Sequence, residues 1–312
     1  MLGRVWGGLS WLGYAVCMFS TRWLRLGGLQ LGWVVILVGC GGGVPVGAPP
    51  AVGTASNLAG NWLLYGSLPK AVGSPGNQAG LGISFDAIGS NVVAAAAVST
   101  TCSIAGGTFG LRLGAVITGA VGPDGSFTVS SPTAGAVTSL TITGKAPGAA
   151  GGPWSGTYTL TSTSPVCPVS QTGAFTATAV QDLNGTYTGM GNVNGPAGSA
   201  AVTMSLTLRQ GGALAGPGGT TPISSRLGVT GSMQVQGFPC FSKGTISTVG
   251  LSEVEGGPVL MNFVMDDGST MSVLGSIDDV AASQMDINFL DVTGGKCSGQ
   301  YTFGLNALVV KH

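Results

Sequence analysis

The chain has 312 residues, only 7% of them charged, with eleven basic side chains against eleven acidic ones. So sparse and balanced a charge, with no basic cluster, excludes nucleic acid and anionic headgroups as electrostatic partners. Low charge combined with 44% hydrophobic residues is also the reverse of the composition that keeps a chain disordered.

The first element in chain order is a leader. Arg22 and Arg25 precede an apolar run from Leu26 to Gly39, and Cys40 and three glycines follow it. The run is shorter than the roughly 20 residues of a transmembrane helix, and a basic patch followed by a short apolar segment and small residues is the layout of a secretory signal. The stretch from Val5 to Ser20 is also apolar. Initiation at Met18 would give a compact signal, so residues 1–17 read as an over-extended start or an unusual leader. The alternative is an ordinary membrane anchor with a coincidental cysteine.

Leu37-Val38-Gly39-Cys40 resembles the lipobox of bacterial lipoproteins. The resemblance implies that the Cys40 thiol carries a diacylglycerol, that cleavage removes residues 1–39 and Cys17 with them, and that the chain is tethered in the bacterial cell envelope. Gly41, where an acidic residue would be a retention signal, is similar to lipoproteins that move on to the outer membrane; the periplasmic face of the inner membrane is the other location. Residues 40–56, rich in Gly, Pro, Ala and Val, read as a flexible tether.

Beyond the tether, short runs of Val, Thr and aromatic residues punctuated by Gly and Pro predict strands and turns, with no sustained helical period. Val202, Met204, Leu206 and Leu208 alternate with Thr203, Ser205 and Thr207, and Tyr158 and Leu160 alternate with Thr157, Thr159 and Thr161. Period two with one apolar face marks half-buried antiparallel strands. The fold class is all-β.

The chain also matches itself. Asn57-Leu58-Ala59-Gly60-Asn61-Trp62 corresponds to Asp182-Leu183-Asn184-Gly185-Thr186-Tyr187. Cys102 then corresponds to Cys240, Asp124-Gly125-Ser126 to Asp267-Gly268-Ser269, and Cys167 to Cys297, and each block closes on an aromatic strand. This order predicts two tandem antiparallel units, 57–180 and 181–312, each a barrel or a sandwich of seven or eight strands. Gly60-Asn61-Trp62 resembles the first strand of lipocalin-like and avidin-like barrels, where the Trp closes one end; Tyr187 takes that place in the second copy. The plainer reading is that Trp62 and Tyr187 are large core residues at the start of a strand.

Cys102, Cys167, Cys240 and Cys297 remain in the body. An even count in an exported chain predicts disulfides, and the duplication selects Cys102–Cys167 and Cys240–Cys297 among three connectivities. No Cys-x-x-Cys pair or neighbouring His supports a metal.

For catalysis the chain offers little. Its one histidine is His312, so nucleophile–histidine arrangements lack a base within the body. Glu253 and Glu255 lie two apart, as a carboxylate pair for glycoside hydrolysis would, but Gly256-Gly257-Pro258 beside them predicts an exposed, solvated turn. Asp266, Asp267, Asp278, Asp279, Asp286 and Asp291 raise calcium, yet Asp266-Asp267-Gly268-Ser269 is ordinary turn chemistry. The second unit holds nine acidic and five basic residues, the first two and three, so a polar function would fall on the second.

The resulting expectation is a non-enzymatic structural or interaction module, tethered to a membrane through Cys40, without cofactor or catalytic residues. Its partner would be a protein or a small apolar ligand. Binding of such a ligand inside barrel-like units is the alternative, and the run Ala94-Ala95-Ala96-Ala97 leaves room for one.

Overall fold

A computed structural model describes residues 51–66, 81–104, 107–131, 138–164, 167–215, 222–247, 252–277, 279–298, 300 and 305–312. Apart from one short helix, α1 (Ala55–Leu58), its regular elements are strands. The first eight are β1 (Gly60–Gly66), β2 (Leu81–Ile88), β3 (Asn91–Ile104), β4 (Gly107–Val121), β5 (Ser126–Ser130), β6 (Thr138–Lys145), β7 (Trp154–Ser164) and β8 (Cys167–Val180). Each pairs antiparallel with the next, and β8 pairs back onto β1 from Asn61↔Val180 to Gly66↔Phe175, closing a barrel.

The second sheet comprises β9 (Asn184–Gly195), β10 (Gly198–Ala215), β11 (Pro222–Gln236), β12 (Lys243–Ile246), β13 (Glu253–Val254), β14 (Pro258–Met265), β15 (Thr270–Ser276), β16 (Gln284–Thr293) and β17 (Leu305–Lys311). Its pairings run in a circuit: β9 to β10, β11, β12, β14, β15, β16 and β17, then back to β9 through Leu305↔Val193 to Lys311↔Tyr187. The short β13 sits beside β12 between β11 and β14, so together they make the fourth stave. Both units are therefore eight-stave meanders closed on themselves; the choice between barrel and sandwich resolves to barrel.

The opening motif has the same geometry in both. Gly60 and Gly185 have φ of +131° and +136°, a region that favours glycine, and each turns the chain into its first strand. Leu58 and Leu183 before them, and Trp62 and Tyr187 after them, are fully buried. The Asp-Gly-Ser turns do not correspond in this way. Asp124-Gly125-Ser126 joins the fourth and fifth staves of the first barrel, whereas Asp267-Gly268-Ser269 joins the fifth and sixth of the second. In each, the Asp carboxylate accepts from the Ser backbone N–H and from its hydroxyl. The motif recurs because tight strand connections select it locally, and its order along the chain is no mark of duplication.

The barrels meet along a seam built on the outer faces of β1, β2 and β3. On those strands Trp62, Leu64, Leu81, Ile83, Phe85, Ala94 and Ala96 belong to the first core, so alternation turns Asn61, Leu63, Gly82, Ser84, Asp86 and Ala95 outward. These outward residues are nonetheless covered: Leu63 belongs to the core of the second barrel, and Ala95 packs with Leu214 and Leu227. The alanine run thus serves two faces at once, and half of it gives close approach between the barrels. Gly82 makes the approach closer still, since a Cβ there would lie 2.2 Å from the Glu255 carbonyl oxygen.

A hydrogen-bonded network fills the seam. The Asn61 and Gln210 side-chain amides pair reciprocally, each Nδ2 or Nε2 donating to the other's oxygen at 2.8 Å. Asn61 Oδ1 also accepts from Ser84 Oγ, and Gln210 Oε1 from the Leu183 N–H. Ser84 Oγ accepts from the Gly256 N–H. Nearby, Ser224 Oγ donates to Asp86 Oδ2 and accepts from the Arg226 and Leu227 N–H groups. Asn61→Ala would leave the Ser84 hydroxyl and Gln210 Nε2 without their acceptor, at about 1–3 kcal/mol for each buried donor. Urea denaturation is expected to show a loss of roughly 3 kcal/mol for Asn61→Ala, and less than about 0.5 kcal/mol for the exposed control Thr159→Ala.

Candidate functional site

Three places could carry chemistry: the interior of the first barrel, the disulfide end of the second, and the seam. In the first barrel, Trp154 of β7 stands at the centre of an aromatic layer. The rings of Trp62, Phe127 and Phe175 lie 5.2–5.8 Å from it and that of Phe85 at 6.2 Å, all edge-on. Such pairs add about 0.5–1.5 kcal/mol each beyond the area they bury. Glycines make room for them: a Cβ at Gly156 would lie 2.9 Å from Phe175 Cζ, and one at Gly144 would lie 3.2 Å from Phe127.

This layer sits at the end of the barrel that residues 51–59 close. Composition assigns residues 51–56 to the tether, yet this segment packs on the barrel. Ala55 and Leu58 are buried, Asn57 Nδ2 donates to the Pro147 carbonyl, and Trp62 Nε1 donates to the Leu58 carbonyl at 2.7 Å. Trp62 thus fixes the α1 plug to the first strand.

Further along β7, Tyr158 and then Leu160 project into the same interior, between β6 and β8. The Tyr158 hydroxyl and the Trp154 indole N–H are buried and have no acceptor among the described residues. Tyr158 lies opposite Ile142 on β6 and Gly173 on β8, while Ala94, Ala96 and the partly buried Ala115 belong to the same core. The interior therefore presents two hydrogen-bond donors, the Tyr158 hydroxyl and the Trp154 N–H, among small and apolar groups.

In the second barrel the core is rich in methionine: Met204, Met233, Met261, Met265, Met271 and Met285 are all buried. Cys240 and Cys297 form a disulfide, with Cα atoms 6.0 Å apart, that ties the chain after β11 to the chain after β16. On the chain-entropy model a loop of that size stabilises its unit by about 4 kcal/mol. Beside it is an open depression of about 510 Å³ lined by Phe238, Cys240, Phe241, Asp266, Asp267 and Lys296. Phe238 and Phe241 stack at 4.5 Å. The Ser242 hydroxyl and N–H hold the Asp266 carboxyl below its ordinary pKa, and Ser269 does the same for Asp267. Both carboxylates are thus committed to turn and loop hydrogen bonds, and among the described residues no group of three potential ligands is placed to hold a metal ion.

Glu253 and Glu255 correct the sequence reading. They were expected on an exposed, solvated turn, yet they are 6% and 1% exposed. Val254 between them points into the second core, so alternation puts both glutamates on the outer wall of that barrel. Gly256, with φ of +80°, brings the following chain so close to the first barrel that a Cβ there would lie 2.3 Å from the Trp62 carbonyl oxygen. A glycine pair that reads as a surface turn is here the contact point of two barrels.

The other expected residues are dispersed. His312 bonds Thr188 on the outer wall, Asp279 caps the Ser283 N–H, and Asp286 and Asp291 lie on β16. Cys102 and Cys167 occupy β3 and β8, but their side chains lie outside the described residues, as do Cys40 and Asp278. The seam residues Asn61, Ser84, Asp86, Gln210 and Ser224 together form no motif in the sequence. One signal was present: Gln210 continues the apolar parity of Val202, Met204, Leu206 and Leu208, a polar side chain where an apolar one is due.

Comparison with known proteins adds little. No family model matches the chain, and no curated protein matches it. A solved structure from Nitrosomonas europaea, described as a candidate AttH protein, aligns with 80% of this chain and 91% of its own at 12% identity, with a TM-score of 0.18. That similarity is too low to carry an argument.

The buried phenol of the second barrel supplies a pH test. Desolvation, with the Asp279 carboxylate adding to it, pushes Tyr187 up to about 12. An unfolded tyrosine ionises near pH 10, so between about pH 10 and 12 the unfolded state loses a proton that the folded state keeps. The stability held below pH 10 should therefore fall as pH rises to 12. Thermal melts across this window are expected to decline less steeply for Tyr187→Phe than for the wild type.

Proposed function

We propose that the chain is an exported lipoprotein whose two-barrel body is a non-enzymatic structural or interaction module, held at a bacterial envelope membrane by lipid on Cys40. The observation that supports this most directly is in the sequence. Leu37-Val38-Gly39-Cys40 ends a short apolar run, and the packed body begins eleven positions later at Ala51. A nearly uncharged β-body is also better suited to a tethered protein, whose collisions are restricted, than to a concentrated free one. The disulfide Cys240–Cys297 accords with an oxidising compartment.

Expression in a bacterial host and intact-mass measurement on the membrane fraction test the reading. The expected mass is that of residues 40–312 plus a diacylglyceryl group, and Cys40→Ala is expected to abolish both lipid and cleavage. A chain retaining residues 1–39 without lipid would overturn it.

A second reading, a small apolar ligand bound in the first barrel, is favoured by the Tyr158 hydroxyl and the Trp154 N–H. A buried donor without an acceptor costs about 1–3 kcal/mol, and a ligand oxygen would remove that cost. Tyr158→Phe distinguishes the cases. In an empty barrel the substitution is expected to be neutral or stabilising. If an acceptor-bearing ligand is bound, native mass spectrometry should show extra mass on the wild type that the variant loses.

A further inference from the structure

We propose that the closed end of the first barrel, carrying Val52 and Ile88, is a bilayer-facing surface that rests on phospholipid. This inference rests on the Cys40 anchor and adds an orientation to it. Ten residues, 41–50, separate Cys40 from Ala51. Eleven Cα-to-Cα steps span at most about 40 Å when fully extended, and less in any relaxed conformation. The anchor therefore keeps Ala51 within about 40 Å of the membrane, and Ala51 leads directly into the closed end of the first barrel.

That end has the composition of a surface laid on lipid. It is built from residues 51–59, the β2–β3 turn at 88–91, the β4–β5 turn at 122–125 and the β6–β7 connection at 146–153. Residues 51–59, 88–91 and 146–153 hold no charged side chain at all. The charged residues near this end are Asp124 and Lys145, opposite in sign, the buried Asp86 on β2, and Asp182, which leaves the same end on the β8–β9 connection and pairs with Arg226 at 3.9 Å. Val52 and Ile88 are 56% and 60% exposed. Each sits at a connection, Val52 against the Gly125 turn and Ile88 at the tip of the β2–β3 hairpin, so neither could be covered by a neighbouring strand. Exposed Ala149 and Ala150 extend the same uncharged surface. On β1, β2 and β3 the outward Leu63 and Ala95 are buried in the seam, while on the second barrel Met190, Val264, Leu308 and Val310 are exposed. At this end Val52 and Ile88 are left open, next to the segment that runs to the lipid.

Tryptophan quenching by lipid locates the face. Once residues 1–39 are removed, the chain keeps only Trp62 and Trp154, both buried, as a low background. Ile88→Trp and, as a control, Met190→Trp would be purified from membranes and reconstituted in phosphatidylcholine vesicles with brominated acyl chains. Met190 is 76% exposed on the outer wall of the second barrel, making it the strongest rival apolar position. Intact mass first establishes lipidation, and circular dichroism establishes the fold. The expected result is at least threefold greater quenching for Ile88→Trp than for Met190→Trp, reduced by half or more when Val52→Asp is added. Equal quenching in a lipidated protein, or stronger quenching at position 190, would overturn this orientation and leave the anchor intact. A full-length, unlipidated chain would overturn both.

Discussion

Everything in this molecule depends on two closing pairings, β1 with β8 and β9 with β17. A strand edge is a row of unpaired backbone donors and acceptors, and proteins commonly guard it with charge. This chain has little charge to use, with two acidic and three basic residues across 57–180. Closing each sheet on itself satisfies the edge groups internally and leaves the outer wall free to be built from Thr, Ser and Gly. The low charge and the barrel are thus two aspects of one solution.

Closure also sets the terms on which the barrels associate. Since neither can add to the other's sheet, they meet through side chains and close-packed backbone. Gly82 and Gly256 bring the backbones together, while Leu63 and Ala95 fill the apolar part. The reciprocal Asn61–Gln210 amide pair fixes the register, because both ends of both amides are engaged in one arrangement. Buried polar groups of this kind contribute little net stability when satisfied and cost much when disrupted, so they act chiefly as selectors of geometry. The seam makes one body of two units that sequence alone presents as beads in tandem.

The fold was legible because its signals are local and periodic. Alternation in Val202–Leu208 and in Thr157–Thr161 announces strands whatever they pack against, and the Gly60 and Gly185 motifs carry enough local geometry to mark the start of each barrel. The Asp-Gly-Ser turns misled for the same reason: a local motif reports a tight turn and not which turn it is. The burial of Glu253 and Glu255 was illegible, since the same Gly256-Gly257-Pro258 sequence makes a solvated loop or an intimate contact depending on what faces it. Gln210 could have been noticed as a break in parity. Its partner on another strand, 149 positions away, could not.

The closing strands have a kinetic meaning as well. Asn61 pairs with Val180 and Tyr187 with Lys311, so each barrel is completed by contacts between residues about 120 positions apart, after all its hairpins are in place. Long-range closure of this kind is slow compared with hairpin formation. A chain delivered from its N-terminus onward holds a finished first barrel while the second is still an open meander with two bare edges. The outer wall of β1, β2 and β3 is then already shaped, offering the later strands a preformed template of Asn61, Leu63, Gly82 and Ser84 to dock against. Order of arrival thus becomes part of how the second barrel avoids pairing with a neighbour.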